Sequence, residues 1–179
     1  IPFVSGDVKF ADLKEDKIIN EDDMTVIGDA TPLFTGALNT AVRWSNFTLS
    51  GIFTFSYGND VYNAVRASLE SMSGTDNQTI VAGNRWRYDG HQTTTPAAVW
   101  GDPHGNSRFS DRWIEDGSYL RMKSITLSYD IPLKSSFITG AQVYATGQNL
   151  LTFTNYLGYD PEFSTGQSVF YSGIDRGVT

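Results

Sequence analysis

Three features predict an all-β fold, read here as an antiparallel segment of a transmembrane β-barrel. Apolar and polar residues alternate over runs of eleven residues; connections are by turns very short and very long; the polar faces are Thr, Ser, Asn and Gln rather than ion pairs. Composition narrows the field. The 179 residues carry a formal charge of −7, with 13 Lys plus Arg against 20 Asp plus Glu, which excludes a basic nucleic-acid-binding face. Only 18% of residues are charged while 13% are aromatic, the reverse of a disordered chain. Cysteine is absent, so disulfide scaffolds and thiolate metal sites are excluded. No run reaches the 18 apolar residues of a membrane helix, a test that does not register β-strands. The chain opens at Ile1 in what reads as a loop, as expected of a piece of something longer.

Residues 1–33 show no strand period. Eight carboxylates face three lysines there and hold −5 of the total charge, which reads as an acidic, solvated loop. Residues 34–57 read as a hairpin. Phe34, Gly36, Leu38, Thr40, Val42 and Trp44 share one face, and Thr35, Ala37, Asn39, Ala41 and Arg43 the other. After the turn at Ser45-Asn46, Phe47, Leu49, Gly51, Phe53, Phe55 and Tyr57 alternate with Thr48, Ser50, Ile52, Thr54 and Ser56. Residues 58–118 read as a long loop opening with a short helix, because Val61, Val65, Leu69 and Met72 fall at helical spacing behind Asn59 or Asp60 as N-cap. Residues 119–149 read as a second hairpin. Ile125, Leu127, Tyr129 and Ile131 alternate with Ser124, Thr126, Ser128 and Asp130; a turn follows at Pro132–Ser136, then a strand over 137–149. Residues 150–179 read as loop, with no closing strand.

A barrel in an outer membrane produces these length and face patterns together: short turns on one side, long loops on the other, an apolar exterior and a polar lumen. Eleven residues at roughly 3.3 Å each cover about 36 Å, which at a 45° tilt spans about 25 Å of membrane. Trp44, Tyr57, Tyr119 and Tyr129 suit aromatic girdles at strand ends. Asn39, Thr48, Thr54, Gln142, Tyr144 and Gln148 are the lumen-facing candidates. Arg121 and Lys123 conflict with the pattern by sharing parity with Ile125 and Leu127, which requires an interfacial position or a bulge. A soluble sandwich also has alternating strands. That alternative is a β-domain binding surface glycans, with loop tryptophans as its platform.

The string Trp113-Ile-Glu-Asp-Gly-Ser-Tyr-Leu-Arg-Met-Lys-Ser-Ile-Thr-Leu-Ser-Tyr-Asp-Ile-Pro132 resembles the C-terminal barrel of the SusC/RagA family of TonB-linked outer-membrane proteins. There an EDGSYLRLKNITLGYTLP-like string leads into a barrel strand. Val143-Tyr-Ala-Thr-Gly-Gln-Asn-Leu-Leu-Thr152 resembles the next strand and Tyr156-Leu-Gly-Tyr-Asp-Pro-Glu162 the loop beyond it. Upstream, Gly6-Asp-Val-Lys-Phe-Ala-Asp12, Ile27-Gly28, Pro32 and Gly58-Asn-Asp-Val-Tyr-Asn63 match in order, so the resemblance covers nearly the whole chain. It implies four strands of a barrel of about 22, with 1–33, 58–118 and 150–179 as extracellular loops. It also implies a bacterial outer-membrane nutrient transporter for glycans or peptides, with a SusD-like surface lipoprotein as partner and a TonB complex acting through an N-terminal part not present here. Family members end in a further strand finishing on an aromatic residue, and this chain stops before one.

Site chemistry is sparse. Asp160 with Glu162, or Glu115 with Asp116, offers two carboxylates but no reason to expect them 5–9 Å apart across a sugar. No catalytic residue and no cofactor is therefore expected. His91 and His104 lack ligand-like spacing. Family loops here read D-x-N-x-D-G-x-I, whereas this one runs from Asp12 through Asp16 and Asn20 to Asp23. Lys14 and Lys17 stand where a calcium loop needs an oxygen and a glycine. Asp12, Asp16, Asn20 and Asp23 are accordingly weak metal candidates in a loop read as solvated acid, with a calcium-stabilised module as a third alternative. Trp86, Tyr88, Trp100 and Trp113 are the loop candidates for contacting a ligand or partner, set against packing of the loop itself.

Overall fold

The computed structural model describes residues 3–133, 137–138, 140–162 and 176–177. Two compact units make up the chain: Ile1–Asp29, Val61–Ile114 and Gly158–Thr179 form one, Ala30–Asp60 and Glu115–Leu157 the other.

The second unit is a four-stranded antiparallel sheet. Its strands β1 (Phe34–Trp44), β2 (Phe47–Tyr57), β5 (Tyr119–Ile131) and β6 (Ala141–Thr154) lie in the order β1-β2-β5-β6. Each neighbouring pair runs antiparallel. β1 and β2 pair without interruption from Phe34↔Tyr57 to Trp44↔Phe47, so every alternating residue keeps its face. Their link is the two-residue turn Ser45-Asn46, with Ser45 at φ 54°. Gly58 ends β2 at φ 83°, and the Leu33 side chain fills the space a Cβ would need.

The pairing of β5 is broken once. Ile52 pairs with Ser124 and Phe53 with Met122, which leaves Lys123 as an extra residue opposite β2. Across the other edge, Met122 pairs with Leu151 and Ser124 with Gln148, so Asn149 and Leu150 stand opposite Lys123 alone. Asn149 takes φ 49°, a conformation Asn tolerates and one that bulges favour. This bulge corrects one sequence expectation and decides another. The fourth barrel strand does not span 137–149: it starts at Ala141 and continues past Asn149 to Thr154, because the break in alternation at Asn149-Leu150 is a bulge and not an end. Of the two positions expected for Arg121, interfacial or behind a bulge, the register shows the bulge: Lys123 resets the phase, so Arg121 does not share a face with Ile125 and Leu127.

Opposed residues share a face, so the apolar face reads across the sheet. Its rows are Trp44/Phe47/Tyr129/Val143, Val42/Leu49/Leu127/Ala145, Thr40/Gly51/Ile125/Gly147, Leu38/Phe53/Met122/Leu151 and Gly36/Phe55/Leu120/Phe153, with Phe34/Tyr57 beyond. Aromatic rings cluster at both ends: Phe47 and Tyr129 at 4.6 Å, Phe34 and Tyr57 stacked at 5.2 Å. Tyr119, expected in a girdle, pairs with Ser56 and Thr154 and so lies on the opposite face. The apolar face is uncovered; Val42 is 62% and Val143 61% exposed. A sheet face of this size left bare suits lipid and not water.

The first unit is mostly irregular. β3 (Asp60–Tyr62) pairs antiparallel with β7 (Arg176–Gly177) in a small sheet ordered β4-β3-β7, where β4 is Ile114–Asp116. The expected helix is shorter and starts later than its apolar spacing implies. α1 covers Ala64–Leu69 and its N-cap is Asn63, not Asn59 or Asp60. Val61 is buried in β3 instead, and the Asn63 N–H donates to Trp113 O (2.8 Å) while its side chain accepts from Arg66 N–H (2.8 Å). Among the described residues of this unit, Val61, Ala67, Met72, Ala82 and Trp113 are buried, as are Asn63, Glu70, Thr95 and Asn106. Residues 134–136, 163–175 and 178–179 lie outside the described residues, and with them parts of the second turn and of the loop expected over 150–179.

Candidate functional site

The polar face of the four-stranded sheet is a regular array. From the turn end upward its rows are Arg43/Thr48/Ser128/Tyr144, Ala41/Ser50/Thr126/Thr146, Asn39/Ile52/Ser124/Gln148, Ala37/Thr54/Arg121/Thr152 and Thr35/Ser56/Tyr119/Thr154, with Asp130/Gln142 below. Asn39, Thr48, Thr54, Gln142, Tyr144 and Gln148 therefore stand on one surface. Its middle is uncharged: hydroxyls and carboxamides dominate, and Thr126 and Thr146 hydrogen-bond to each other at 2.9 Å.

Charge enters at the two ends, through Arg43 with Asp130 and through Arg121. At the turn end, Arg43 pairs with Asp130 (3.2 Å), and Gln142 Nε2 donates to the same carboxylate (2.7 Å). Asn46 Nδ2 donates to Asp130 O (2.8 Å), and Asp130 N–H donates back to Asn46 O (2.9 Å), so three strands and a turn are laced together. The ion pair is part-exposed and contributes little alone, about 0–1 kcal/mol. At the loop end, Arg121 is 7% exposed; its Nε donates to Thr152 Oγ1 (3.2 Å) and its guanidinium lies 5.6 Å from the Tyr119 ring. The signal for Arg121 was present in the chain. Leu120 and Met122 are out of phase with Ile125 and Leu127, and that places a break between them.

The four aromatic loop candidates separate sharply. Trp113 is 1% exposed, donates Nε1–H to Arg108 O (3.1 Å), and carries the Arg112 and Arg66 guanidinium groups at 5.0 and 5.6 Å; it is a packing residue, not a ligand contact. Trp86 is half-buried and occupies the space above Gly6. Tyr88, 65% exposed, stacks on His91 at 5.3 Å, and Trp100 is 73% exposed. Of the four, only Tyr88 and Trp100 are largely exposed, and His91 takes one face of Tyr88.

The acidic residues cap their own loops. Asp12 accepts from the backbone of Asp16 (3.2 Å) and Lys17 (2.7 Å), Asp16 from Ile18 (2.8 Å), and Asn20 from Asp22 (2.6 Å). Asp23 accepts from Asn20 (2.9 Å), Lys14 (3.3 Å) and Leu13 (2.9 Å), and the Asn20 N–H foremost holds its carboxyl below the usual range. These oxygens serve backbone donors, and among the described residues no three His, Asp or Glu side chains are arranged to hold a metal. Glu115 likewise accepts from Leu157 N–H (3.0 Å), Asp116 from Ser118 (2.9 Å) and Asp160 from Glu162 (2.8 Å).

Comparison with known proteins decides the family. TonB-dependent receptor P3 of Formosa agariphila is 37% identical over 160 residues, which cover 88% of this chain and 15% of that receptor. TonB-dependent receptor SusC of Bacteroides thetaiotaomicron is 28% identical over 133 residues, 72% of this chain and 13% of SusC. Among solved structures, the RagAB peptide importer in its open-open state superposes with a TM-score of 0.70 at 27% identity, covering 85% of this chain and 17% of that one. No family model matches. The chain belongs to the SusC/RagA family of TonB-linked outer-membrane proteins. It spans about one-sixth of the length of these relatives.

Within this SusC/RagA segment the open four-stranded sheet is a piece of an antiparallel transmembrane β-barrel, and its edges β1 and β6 are where further strands pair. One loop contact of the segment titrates. Asp7 is enclosed, with Val4 N–H (2.8 Å) and His104 Nδ1 (2.8 Å) on one oxygen and Asn106 Nδ2 (3.0 Å) on the other. Burial raises its pKa, but the Val4 and Asn106 hydrogen bonds and the His104 ring outweigh this and hold it below the ordinary 3.8. A lowered carboxyl stabilises this corner fully above 3.8 and loses its effect as pH falls from there through the bound value. Amide exchange at Val4 and Val8, corrected for intrinsic rates, is expected to speed up as the pH falls below 3.8, and Asp7→Asn to flatten that response. Equal protection at pH 3 and pH 6 would contradict it.

Proposed function

We propose that this chain forms part of the wall and surface loops of a TonB-dependent outer-membrane transporter that imports glycans or peptides. The observation that carries this reading is the two-faced sheet. A bare apolar face between two aromatic clusters is suited to lipid, and behind it the array of hydroxyls and carboxamides is suited to a wet passage. The long connections lie at the Phe34/Tyr57 end and are the extracellular loops; the turn at Ser45-Asn46 lies on the periplasmic side. A SusD-like lipoprotein closes the complete transporter from outside, and the TonB complex drives it from within. The solved RagAB peptide importer supports a peptide as cargo, and the TonB-dependent receptors among the relatives support the TonB drive. Asn39, Thr48, Thr54, Gln142, Tyr144 and Gln148 line the passage. Tyr88 and Trp100 are the loop rings left to meet cargo or partner.

A soluble glycan-binding sandwich needs a second layer over the apolar face, and the described residues supply none. The test is uptake by the full-length protein in cells. Replacing Thr48, Thr54, Gln142 and Gln148 by Ala is expected to lower uptake by about fivefold for each cargo hydrogen bond lost, on the basis of ~1 kcal/mol per bond. Surface display should remain unchanged. Unaltered uptake by the fourfold variant would remove these residues from the passage.

A further inference from the structure

Outside the sheet, the first unit holds a cleft of about 790 Å³ between the segment 3–19 and the loop 103–108. That volume lies within the roughly 300–1,000 Å³ of small-ligand sites. The two walls are fastened by the Asp7–His104 and Asp7–Asn106 contacts and by Val8 N–H donating to Asn106 Oδ1 (2.8 Å). Its apolar lining comes from Phe3, Val8, Phe10, Ile18, Ile19 and Pro103. The rings of Phe3 and Phe10 lie 6.2 Å apart, and Arg108 sits over Phe10 at 4.6 Å.

The charges in the cleft are the informative part. Residues 1–33 carry a large excess of acid, yet both acids lining the cleft have both oxygens occupied. Asp7 is bonded by Val4, His104 and Asn106, and Asp12 by the backbone of Asp16 and Lys17. Lys14 pairs with Asp22 at 2.8 Å. Lys9 and Lys17, by contrast, line the cleft with no carboxylate partner among the described residues. The cleft thus offers an apolar lining, two uncommitted ammonium groups and a guanidinium. A neutral sugar would leave both ammonium groups without a counter-charge. A peptide that alternates apolar side chains with carboxylates matches both the lining and the charges.

We infer that this cleft binds a short acidic, amphipathic peptide, its apolar side chains against Phe3, Phe10 and Ile18 and its carboxylates on Lys9 and Lys17. The inference rests on the transporter reading and narrows its cargo to a peptide of stated charge. The experiment uses the purified full-length receptor and two labelled synthetic hexapeptides, one alternating leucine and glutamate, the other leucine and glutamine. The acidic peptide is expected to bind about tenfold more tightly, and Lys9→Ala with Lys17→Ala to abolish that preference, as two partly screened ion pairs would. Ile18→Asn, a neutral change at an exposed apolar position, is expected to weaken both peptides alike.

Equal affinity for the two peptides, or a preference that survives the double lysine substitution, overturns the inference. So does peptide binding that Ile18→Asn leaves unchanged. Absence of peptide binding alongside intact glycan uptake overturns the cleft assignment and leaves the transporter standing. Absence of uptake of any oligomer by cells displaying the receptor overturns both.

Discussion

Deletion of Lys123 is expected to prevent assembly of the full-length receptor into its barrel. Lys123 is the bulged residue that lets Arg121 and Tyr119 lie with Thr54 and Ser56 while Leu120 and Met122 lie with Phe55 and Phe53. Without it β5 alternates unbroken, and two outcomes remain. In one, residues 119–122 turn over, sending Arg121 and Tyr119 to the lipid and Leu120 and Met122 to the polar side. In the other, β5 slips by one residue against both neighbours. An arginine on the lipid face costs roughly 2–4 kcal/mol at the midplane, less near the interface. To this are added the lost Thr152 bond and the exposure of two apolar side chains to water. The readout is heat-modifiable migration of the receptor from outer-membrane fractions. Lys123→Ala keeps the bulge and is the control, expected to assemble normally. A deletion variant that also assembles normally would show that the bulge does not set the faces of β5.

Trp113→Ala is expected to loosen the loop unit without unfolding the sheet. The indole is 1% exposed, its N–H meets Arg108 O, and two guanidinium groups lie over its faces. Removal of a buried tryptophan costs about 3–5 kcal/mol, and the two lost cation contacts add roughly 0.5–1 kcal/mol or more each. Protease added to intact cells should cut within residues 58–118 of the variant and leave the wild type whole, with heat-modifiable migration kept in both. Trp113→Phe retains most of the volume without the N–H donor and should fall between. An unchanged cleavage pattern for Trp113→Ala would show that the loop is held by other contacts.

The strands were legible wherever alternation ran unbroken. β1 and β2 occupy the two eleven-residue runs because each residue there has one face and one partner in an uninterrupted register. Legibility ended at Lys123 and Asn149, since a bulge inserts a residue without changing residue types, and parity counted through it assigns the wrong face. The helix was misplaced for a related reason. Val61 fits a helical stripe, but its burial is satisfied in β3, and Asn63 is left to cap a shorter α1. Among the loop aromatics, nothing local distinguishes Trp113 from Trp100. One is buried beneath Arg66 and Arg112 and bonded to Arg108 O while the other is exposed, and only the folded chain makes that choice.

Local alternation, turn residues and composition by themselves determined a two-faced antiparallel sheet with a neutral polar side, because period two commits each side chain to a face as soon as the backbone extends. The motif strings determined the family. Tertiary structure decided which side Arg121 takes, where β6 ends, which tryptophan packs, and that Lys9 and Lys17 share an apolar cleft. These depend on cross-strand register and on contacts between residues tens of positions apart, and such contacts are free energies of the whole fold, not properties of any short stretch of chain.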